Sequence, residues 1–583
     1  VLGTFNRKLN QGLGRTMTER ILISDVIRNV WLSLNNRWRL LRHRNVQYVV
    51  LRVSGSYPER QVVPRRPFPL SLLPWPAPPP SVQSFSEALE RAAGDPRLKG
   101  IVLLISNLSA QPATLSSMRQ ALARFRASGK RSIAYVQDLS TWSYYLAVAC
   151  DEILAPESAS FGVTGLWSES LFLKDTLALV GIEADFESIA EYKVSPDIFR
   201  RTKMSQPHRE MLESLLDSLY DELITAIADG RSTAAKRVRK LLDSTPLTAE
   251  EAQMEGLLDQ VAYEDELPLV LGTRERPANL VLWEQAQKML TRPRRWHSRR
   301  RIGVISLEGL IVPGPSRRSP IPIPVPLPIG PSQAGSDTLA QQLRSAARDK
   351  RVAAVVLHID SPGGSALASD LIWREVLHLQ RAKPVVVSMS NVSASGGYYV
   401  SAPAHAILAQ PTTLTGSIGI WGGKFVTSGL FQQIRARREF ASRGKAAGLY
   451  TDTARFSDEE RAKIQADLGA AYVRFKSRVA EGRQMSESEV EAVARGRVWT
   501  GQQAVENGLV DSLGDLQAAA DRARELAGIS RQRSAPLQDI PAPKHFQLAQ
   551  PLPEELSGWL SGLTAILHEG ILALAPWQIR IGG

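Results

Sequence analysis

Unbroken apolar runs rich in Val, Ile and Leu recur along the chain at residues 48–53, 100–105 and 132–136, and again at 302–307, 353–359 and 384–389. Between them lie stretches whose apolar positions return every three or four residues, such as 86–93 and 337–347. Short continuous apolar runs predict strands buried on both faces, and the amphipathic stretches between them predict helices covering a largely parallel sheet. The pattern is α/β, and it is written twice.

The second half repeats the first. Residues 95–105 align with 349–359 at an offset of 254, and Tyr144-Tyr145 then meets Tyr398-Tyr399 without a gap. Gly162 and Gly165 fall on Gly416 and Gly419, and Phe186 falls on Phe440; Thr248, Gly256 and Asp259 fall on Thr500, Gly508 and Asp511 at offset 252. Two proline clusters, 64–80 and 313–331 with eight prolines each, follow the first strand of each half. Matches in constant order identify a tandem duplication of a unit of roughly 230 residues.

Length and composition fit this reading. At 583 residues the chain exceeds one ordinary core, and 43% apolar residues exclude a largely disordered chain. The single cysteine, Cys150, excludes an intramolecular disulfide and a cysteine-built zinc site; aligned with Ala404, it reads as a small buried residue. The net charge of +13 is partly localised, with nine Lys/Arg against two acids in residues 1–44 and six arginines in 292–301. Ile23, Val26, Ile27, Val30, Trp31, Leu34, Trp38 and Leu41 share one helical face. Such a basic helix suits an anionic lipid surface, and equally suits packing on the core or on a neighbouring subunit. Leu556, Trp559, Leu560, Leu563, Leu567, Ile571 and Leu574 predict a second amphipathic helix over 556–574. No run reaches the ~18 apolar residues of a spanning helix, and no cleavable secretory signal is evident. The chain opens at Val1, which leaves room for an anchor upstream. The arginine clusters lack interleaved aromatics and any nucleic-acid module, so no nucleic-acid partner is expected. The expected organisation is a basic amphipathic segment (1–44), a first unit (45–285), a basic linker (286–301), a second unit (302–530) and a tail (531–583).

The units differ where chemistry could reside. In the second, one strand runs into Asp360-Ser361-Pro362-Gly363-Gly364 and the next into Asn391-Val392-Ser393-Ala394-Ser395-Gly396-Gly397; Leu414-Thr415-Gly416-Ser417-Ile418-Gly419 follows. Glycines after a buried strand can aim backbone amides at an oxyanion, or simply make a tight turn. A serine opening a helix is a candidate nucleophile or an N-cap. In the first unit Ser109-Ala110 stand for Gly363-Gly364, Thr141-Trp142-Ser143 for Ser395-Gly396-Gly397, and Val163 for Ser417. The turns evidently form without those residues, which favours a chemical role for them. A base is then needed. His358 lies in an apolar run, His405 aligns with Asp151, and Asp360 is the available carboxylate. A lysine stripped of its proton by burial is the other option. Glu191-Tyr192-Lys193 of the first unit aligns Lys193 with Ala447, and Lys445, two residues away, is the competing assignment. With Lys193, each unit holds half of a site.

Ser-Pro-Gly-Gly, Ser-Ala-Ser-Gly-Gly-Tyr-Tyr and Thr-Gly-Ser-Ile-Gly-Ile in the second unit, with Glu-Tyr-Lys in the first, resemble the long, duplicated form of signal peptide peptidase A (peptidase family S49) over roughly residues 45–530. The resemblance implies a tandem pair of ClpP/crotonase-like α/β units and a Ser–Lys serine protease. It makes Ser395 the nucleophile, Lys193 the general base and Ser417 the hydroxyl that orients the lysine, with backbone amides of Gly363, Gly364 and Gly396 as oxyanion hole. No histidine stands around Gly419-Ile420-Trp421, where a ClpP-type protease would carry its catalytic one. The resemblance further implies no metal or cofactor, apolar signal-peptide-like substrates, a homo-oligomer (a tetramer) and association with a bacterial cell membrane. The alternatives are a crotonase-type acyl-CoA enzyme, which shares the fold, and a non-catalytic membrane-associated scaffold.

Overall fold

The apolar runs fold into strands buried on both faces. In the computed structural model the described residues are 23–60, 80–318, 332–530, 533, 535–542, 572–574 and 580–582. The first unit is built on an all-parallel sheet in the order Gln260–Val261, Glu152–Ala155, Arg131–Val136, Gly100–Leu108, Tyr48–Gly55, Leu280–Leu282. Alternate residues of each strand enter different cores. Val49, Leu51 and Val53 pack with Ile101, Leu103 and Ile105 on one face, while Tyr48, Val50, Val102 and Ile133 pack on the other. The second unit repeats the same order with Ser512–Leu513, Ala406–Ala409, Val385–Ala394, Val352–Ser361, Arg301–Glu308 and Leu537–Asp539.

The long helices correspond as well. Gln206–Gly230 and Asp458–Arg483 are each opened by a serine N-cap, Ser205 and Ser457, whose side chain accepts from the third helical amide. Buried Leu215, Leu219 and Leu223 on the one helix, and Leu468, Tyr472, Phe475 and Val479 on the other, form the core-facing stripes.

Among the described residues, two seams join the units besides the packing of the helix Gln206–Gly230 against Val498–Thr500. In one, the strand Glu183–Ser188 of the first unit pairs antiparallel with Trp421–Val426 of the second, from Trp421↔Ser188 to Val426↔Glu183. Phe186, Trp421, Phe425 and Phe199 stack edge-on across it, and Asp185 and Glu187 both pair with Arg461. In the other, the helix Pro112–Arg126 brings Thr114 to Asn391 (N···Oδ1 3.2 Å), Ser116 to Thr412 (3.2 Å) and Gln120 to Gln410 (3.0 Å).

The helix Ile23–Arg42 lies along the basic linker. Asp25 accepts from the His297 amide, Asn29 donates to the Arg295 carbonyl, and Asn36 exchanges hydrogen bonds with the backbone of Arg292. These polar groups hold its inner face, so the apolar face points outward, with Ile27, Val30, Trp31, Leu34, Trp38 and Leu41 all exposed. No helix of the described residues is long and apolar enough to cross a membrane.

One expectation fails at the C-terminal end. Leu572–Leu574, predicted as the last turn of an amphipathic helix, is a strand, pairing antiparallel with Gly363–Ser365 on one side and with Trp421 on the other. Ladder partners on both edges satisfy its backbone groups, and this overrides the helical spacing of Leu567, Ile571 and Leu574 in the sequence. The rest of that predicted helix, and the proline clusters over 64–79 and 319–331, lie outside the described residues.

Candidate active site

Ser395 stands between the strand Val385–Ala394 and the helix Gly396–Ser401, with φ +55° and ψ −114°. A serine in that half of the map is strained, and the strain is tolerated because both flanking peptide groups are tied down. Its amide donates to the Gly416 carbonyl (2.7 Å) and its carbonyl accepts from the Tyr399 amide (2.8 Å). The glycines beside it give the turn room: a Cβ on Gly397 would sit 3.0 Å from the Ser361 carbonyl oxygen.

Lys193 arrives from the first unit. The chain leaves the strand Glu183–Ser188, turns at Ala190 (φ +70°), and buries the lysine to 1% exposure. Its Nζ is 2.8 Å from Ser395 Oγ, 3.0 Å from Ser417 Oγ and 3.0 Å from the Ser417 carbonyl oxygen. Ser417 is itself left-handed (φ +51°), and its amide donates to the Arg497 carbonyl (2.7 Å). Burial holds the lysine well below the usual amine range, with no carboxylate among the described residues opposing it. A cation buried without a counterion gives up its proton instead. The neutral amine has two N–H donors, which the two Ser417 oxygens satisfy, and one lone pair, which faces the Ser395 hydroxyl. The arrangement can therefore take a proton from Ser395.

The remaining residues singled out in the sequence fall as follows. Gly363 (φ +100°) and Gly364 (φ +154°) lie in the strand Gly363–Ser365. A Cβ on Gly364 would meet the Ile311 carbonyl oxygen at 2.1 Å, so only glycine fits there. The Gly363 amide donates to Ser361 Oγ (3.1 Å), which in turn donates to the Gly309 carbonyl (2.6 Å). Gly396 is the first residue of its short helix, where amides have no intrahelical acceptor. His358 is buried within its strand and pushed down to about 4 by burial, the Arg60 charge adding to that. The His405 ring accepts from the Val385 amide (3.2 Å). Asp360 accepts from the Val392 amide (3.1 Å), and burial raises its carboxyl to about 6. Lys445 is exposed on a loop. Among the described residues, Lys193 and Ser417 are the groups brought together with Ser395.

Sequence reasoning missed the turn Arg495-Gly496-Arg497, which touches the lysine segment, and the Asn391–Thr114 contact across the second seam. A glycine between two arginines, absent from the equivalent stretch of the first unit, was the available signal for the turn.

A family profile described as "Peptidase family S49" matches residues 124–274 and again 378–530, together just over half of the chain. The chain belongs to peptidase family S49. The two S49 segments begin 254 residues apart, the offset of the duplication. The chain is 34% identical over 493 residues to "Serine protease SPPA, chloroplastic" of Arabidopsis thaliana, covering 82% of this chain and 70% of that one. It is 30% identical to "Protease 4" of Haemophilus influenzae over 78% of this chain and 74% of that one. "Protease 4" of Salmonella typhi matches at 30% identity over 85% of this chain and 79% of its own. This S49 chain is accordingly a serine protease of the signal peptide peptidase A type, with two α/β units of matching strand order in tandem. The acyl-CoA and scaffold alternatives are set aside on that membership.

Proposed function

We propose that the protein is an endopeptidase in which Ser395 is the nucleophile and Lys193, from the other unit, the general base. The observation that carries this reading is the buried Nζ–Oγ contact of 2.8 Å, with no carboxylate of the described residues at the lysine. Neutral Lys193 takes the Ser395 proton as Oγ adds to the peptide carbonyl carbon. Backbone amides around Gly396 and Gly364 are the proposed donors to the oxyanion, which the Gly363 amide joins by giving up its hydrogen bond to Ser361 Oγ. Collapse breaks the C–N bond, and the Lys193 ammonium hands its proton to the leaving amine. Water then adds to the acyl-enzyme with Lys193 again accepting a proton, which returns to Ser395 Oγ as the acid product leaves. Ser417 orients the amine through both of its oxygens. Substitution of Ser395 by Ala, or of Lys193 by Ala, is expected to abolish cleavage of a fluorogenic apolar peptide, whereas Lys445→Ala leaves it intact. Near-normal turnover in either of the first two variants refutes the dyad.

The substrates we infer are extended apolar peptides of the signal-peptide kind. The extended course of Leu572–Leu574 against Gly363–Ser365 supports a peptide taking the same strand edge. The exposed face of the helix Ile23–Arg42, with Trp31 and Trp38 and arginines around it, supports association with an anionic membrane surface. Flotation with anionic vesicles tests this, and recovery only in the soluble fraction removes it. A homo-oligomer is supported by an unmatched copy of the first seam. Residues 437–442 align with the strand Glu183–Ser188, yet they form no strand, and Phe440 is 64% exposed where its counterpart Phe186 is buried. Pairing of that segment with the strand Trp167–Glu169 of a second chain would repeat the seam, and a subunit-mass measurement decides it.

A further inference from the structure

Lys193 and Ser395 belong to different units, so something must hold the lysine segment to within a hydrogen bond of the serine. The strand pairing of the first seam ends with the Ile189 amide on the Ile420 carbonyl, four residues short of Lys193. Beyond it the chain turns at Ala190 and is met by the second unit's residues 494–497. There Arg495 (φ +56°) and Gly496 (φ +81°) are consecutive left-handed residues. The Arg495 carbonyl accepts from the Tyr192 amide (3.1 Å), the Gly496 amide donates to the Ile418 carbonyl (2.8 Å), and the Arg497 carbonyl accepts from the Ser417 amide (2.7 Å). Three successive residues thus grip the lysine segment on one side and the Ser417 turn on the other.

The side chains extend the grip. Arg495 pairs with Glu191 (2.8 Å), two residues before the lysine. The Arg497 guanidinium lies over the Tyr192 ring (5.1 Å to its centroid) and contacts Glu210 (3.3 Å), which also accepts from the Tyr192 hydroxyl (2.9 Å). Gly496 is the closest element. A Cβ there would sit 2.5–2.6 Å from Lys193 N, Cα and Cβ, too close for the lysine backbone to stay where it is. The first unit makes the contrast. Its helix Ala235–Leu242 corresponds to Glu487–Val493, and the following residues are Asp243-Ser244-Thr245 where the second unit has Arg495-Gly496-Arg497. The copy without the serine lacks both the glycine and the arginines.

We propose that Arg495-Gly496-Arg497 is the clamp that positions Lys193 against Ser395 and Ser417, with Gly496 and Arg495 as positioning residues. The inference rests on Lys193 being the general base. It is tested in the full chain with Gly496→Ala, Arg495→Glu and the swap Arg495→Glu/Glu191→Arg, by kcat and KM for an apolar fluorogenic peptide from about pH 6 to about pH 10. Gly496→Ala should lower kcat near neutral pH by about tenfold or more, leave KM within about twofold, and move the acidic limb of the rate profile to higher pH as the displaced amine becomes easier to protonate. Arg495→Glu, which sets two carboxylates face to face, should cost roughly three- to tenfold in kcat, and the swap should recover most of it.

A folded Gly496→Ala enzyme with the parental kcat overturns the clamp. So does a loss that is uniform at every pH, since that marks a merely structural defect. If Gly496→Ala does not fold, the exposed pair decides: failure of the swap to restore what Arg495→Glu loses overturns the proposal. Lys193→Ala separates the two readings. Retained cleavage in that variant refutes the general base itself, whereas its inactivity beside unperturbed clamp variants refutes the clamp alone.

Discussion

Glu59 offers a quantitative test of how the units are joined. Its carboxyl accepts from Ser117 Oγ (2.8 Å), and Ser117 Oγ also accepts from Gln410 of the second unit (3.0 Å), so Glu59 backs the second seam. Burial raises its carboxyl from 4.5 to about 8, with Asp515 and Asp360 pushing the same way and only the Ser117 hydrogen bond opposing. The folded chain therefore keeps a proton that the unfolded chain loses above about pH 4.5, and stability falls as pH rises towards 8. Integrated between pH 5 and pH 8, this single group removes ~3 kcal/mol. Glu59→Gln keeps the shape, one acceptor and donor capacity but cannot ionise. In urea titrations followed by tryptophan fluorescence, the variant should match or slightly exceed the parent at pH 5 and exceed it by ~3–4 kcal/mol at pH 8. Parallel pH responses of the two proteins would show that Glu59 ionises in the folded chain, and the reasoning would fail.

The same logic applies to the lysine, with the sign reversed. Because burial depresses its proton affinity, Lys193 costs stability at every pH below the ordinary lysine range, so Lys193→Met should abolish turnover yet raise Tm at neutral pH; an unchanged or lowered Tm contradicts this. Removal of residues 572–583 vacates the strand edge beside Gly363–Ser365, and should lower KM for an extended peptide while leaving kcat alone. An unchanged KM would mean that substrate does not use that edge.

Much of the fold was legible because the duplication could be read directly. Two sets of apolar runs at a constant offset imply two sheets, and the same strand order appears in both. The residues facing Ser395 were legible for a different reason: comparing Ser395, Gly396 and Ser417 with Thr141, Trp142 and Val163 separates chemistry from turn geometry within one chain. What the sequence left hidden lies mostly between the units. Without the family resemblance, which points to Lys193, the residues alone leave Lys445 open, because the choice depends on strand pairing across the first seam and pairing between distant segments leaves no local periodicity. The clamp depends on backbone carbonyls, which every residue carries. The misread C-terminal strand belongs to the same class, since Leu567, Ile571 and Leu574 have helical spacing and only the waiting edges of Gly363–Ser365 and Trp421 make Leu572–Leu574 a strand.

The duplication also decides what assembly can and cannot control. The seam that joins lysine to serine lies within one chain, at an effective concentration fixed by covalent connection rather than by the number of copies in solution. The pseudo-equivalent proposed above, the exposed 437–442 segment against the strand Trp167–Glu169 of another chain, would lead to Ala447 on one side and to Thr141 and Val163 on the other. A junction formed there carries neither a base nor a nucleophile. Dissociation of an oligomer held by such junctions therefore leaves every Lys193–Ser395 pair intact, and activity per chain on a short soluble peptide should not change on dilution through the dissociation range. An activity that falls in step with the loss of oligomer would mean that the working lysine comes from a neighbouring chain, and that the seam between Glu183–Ser188 and Trp421–Val426 is exchanged between copies.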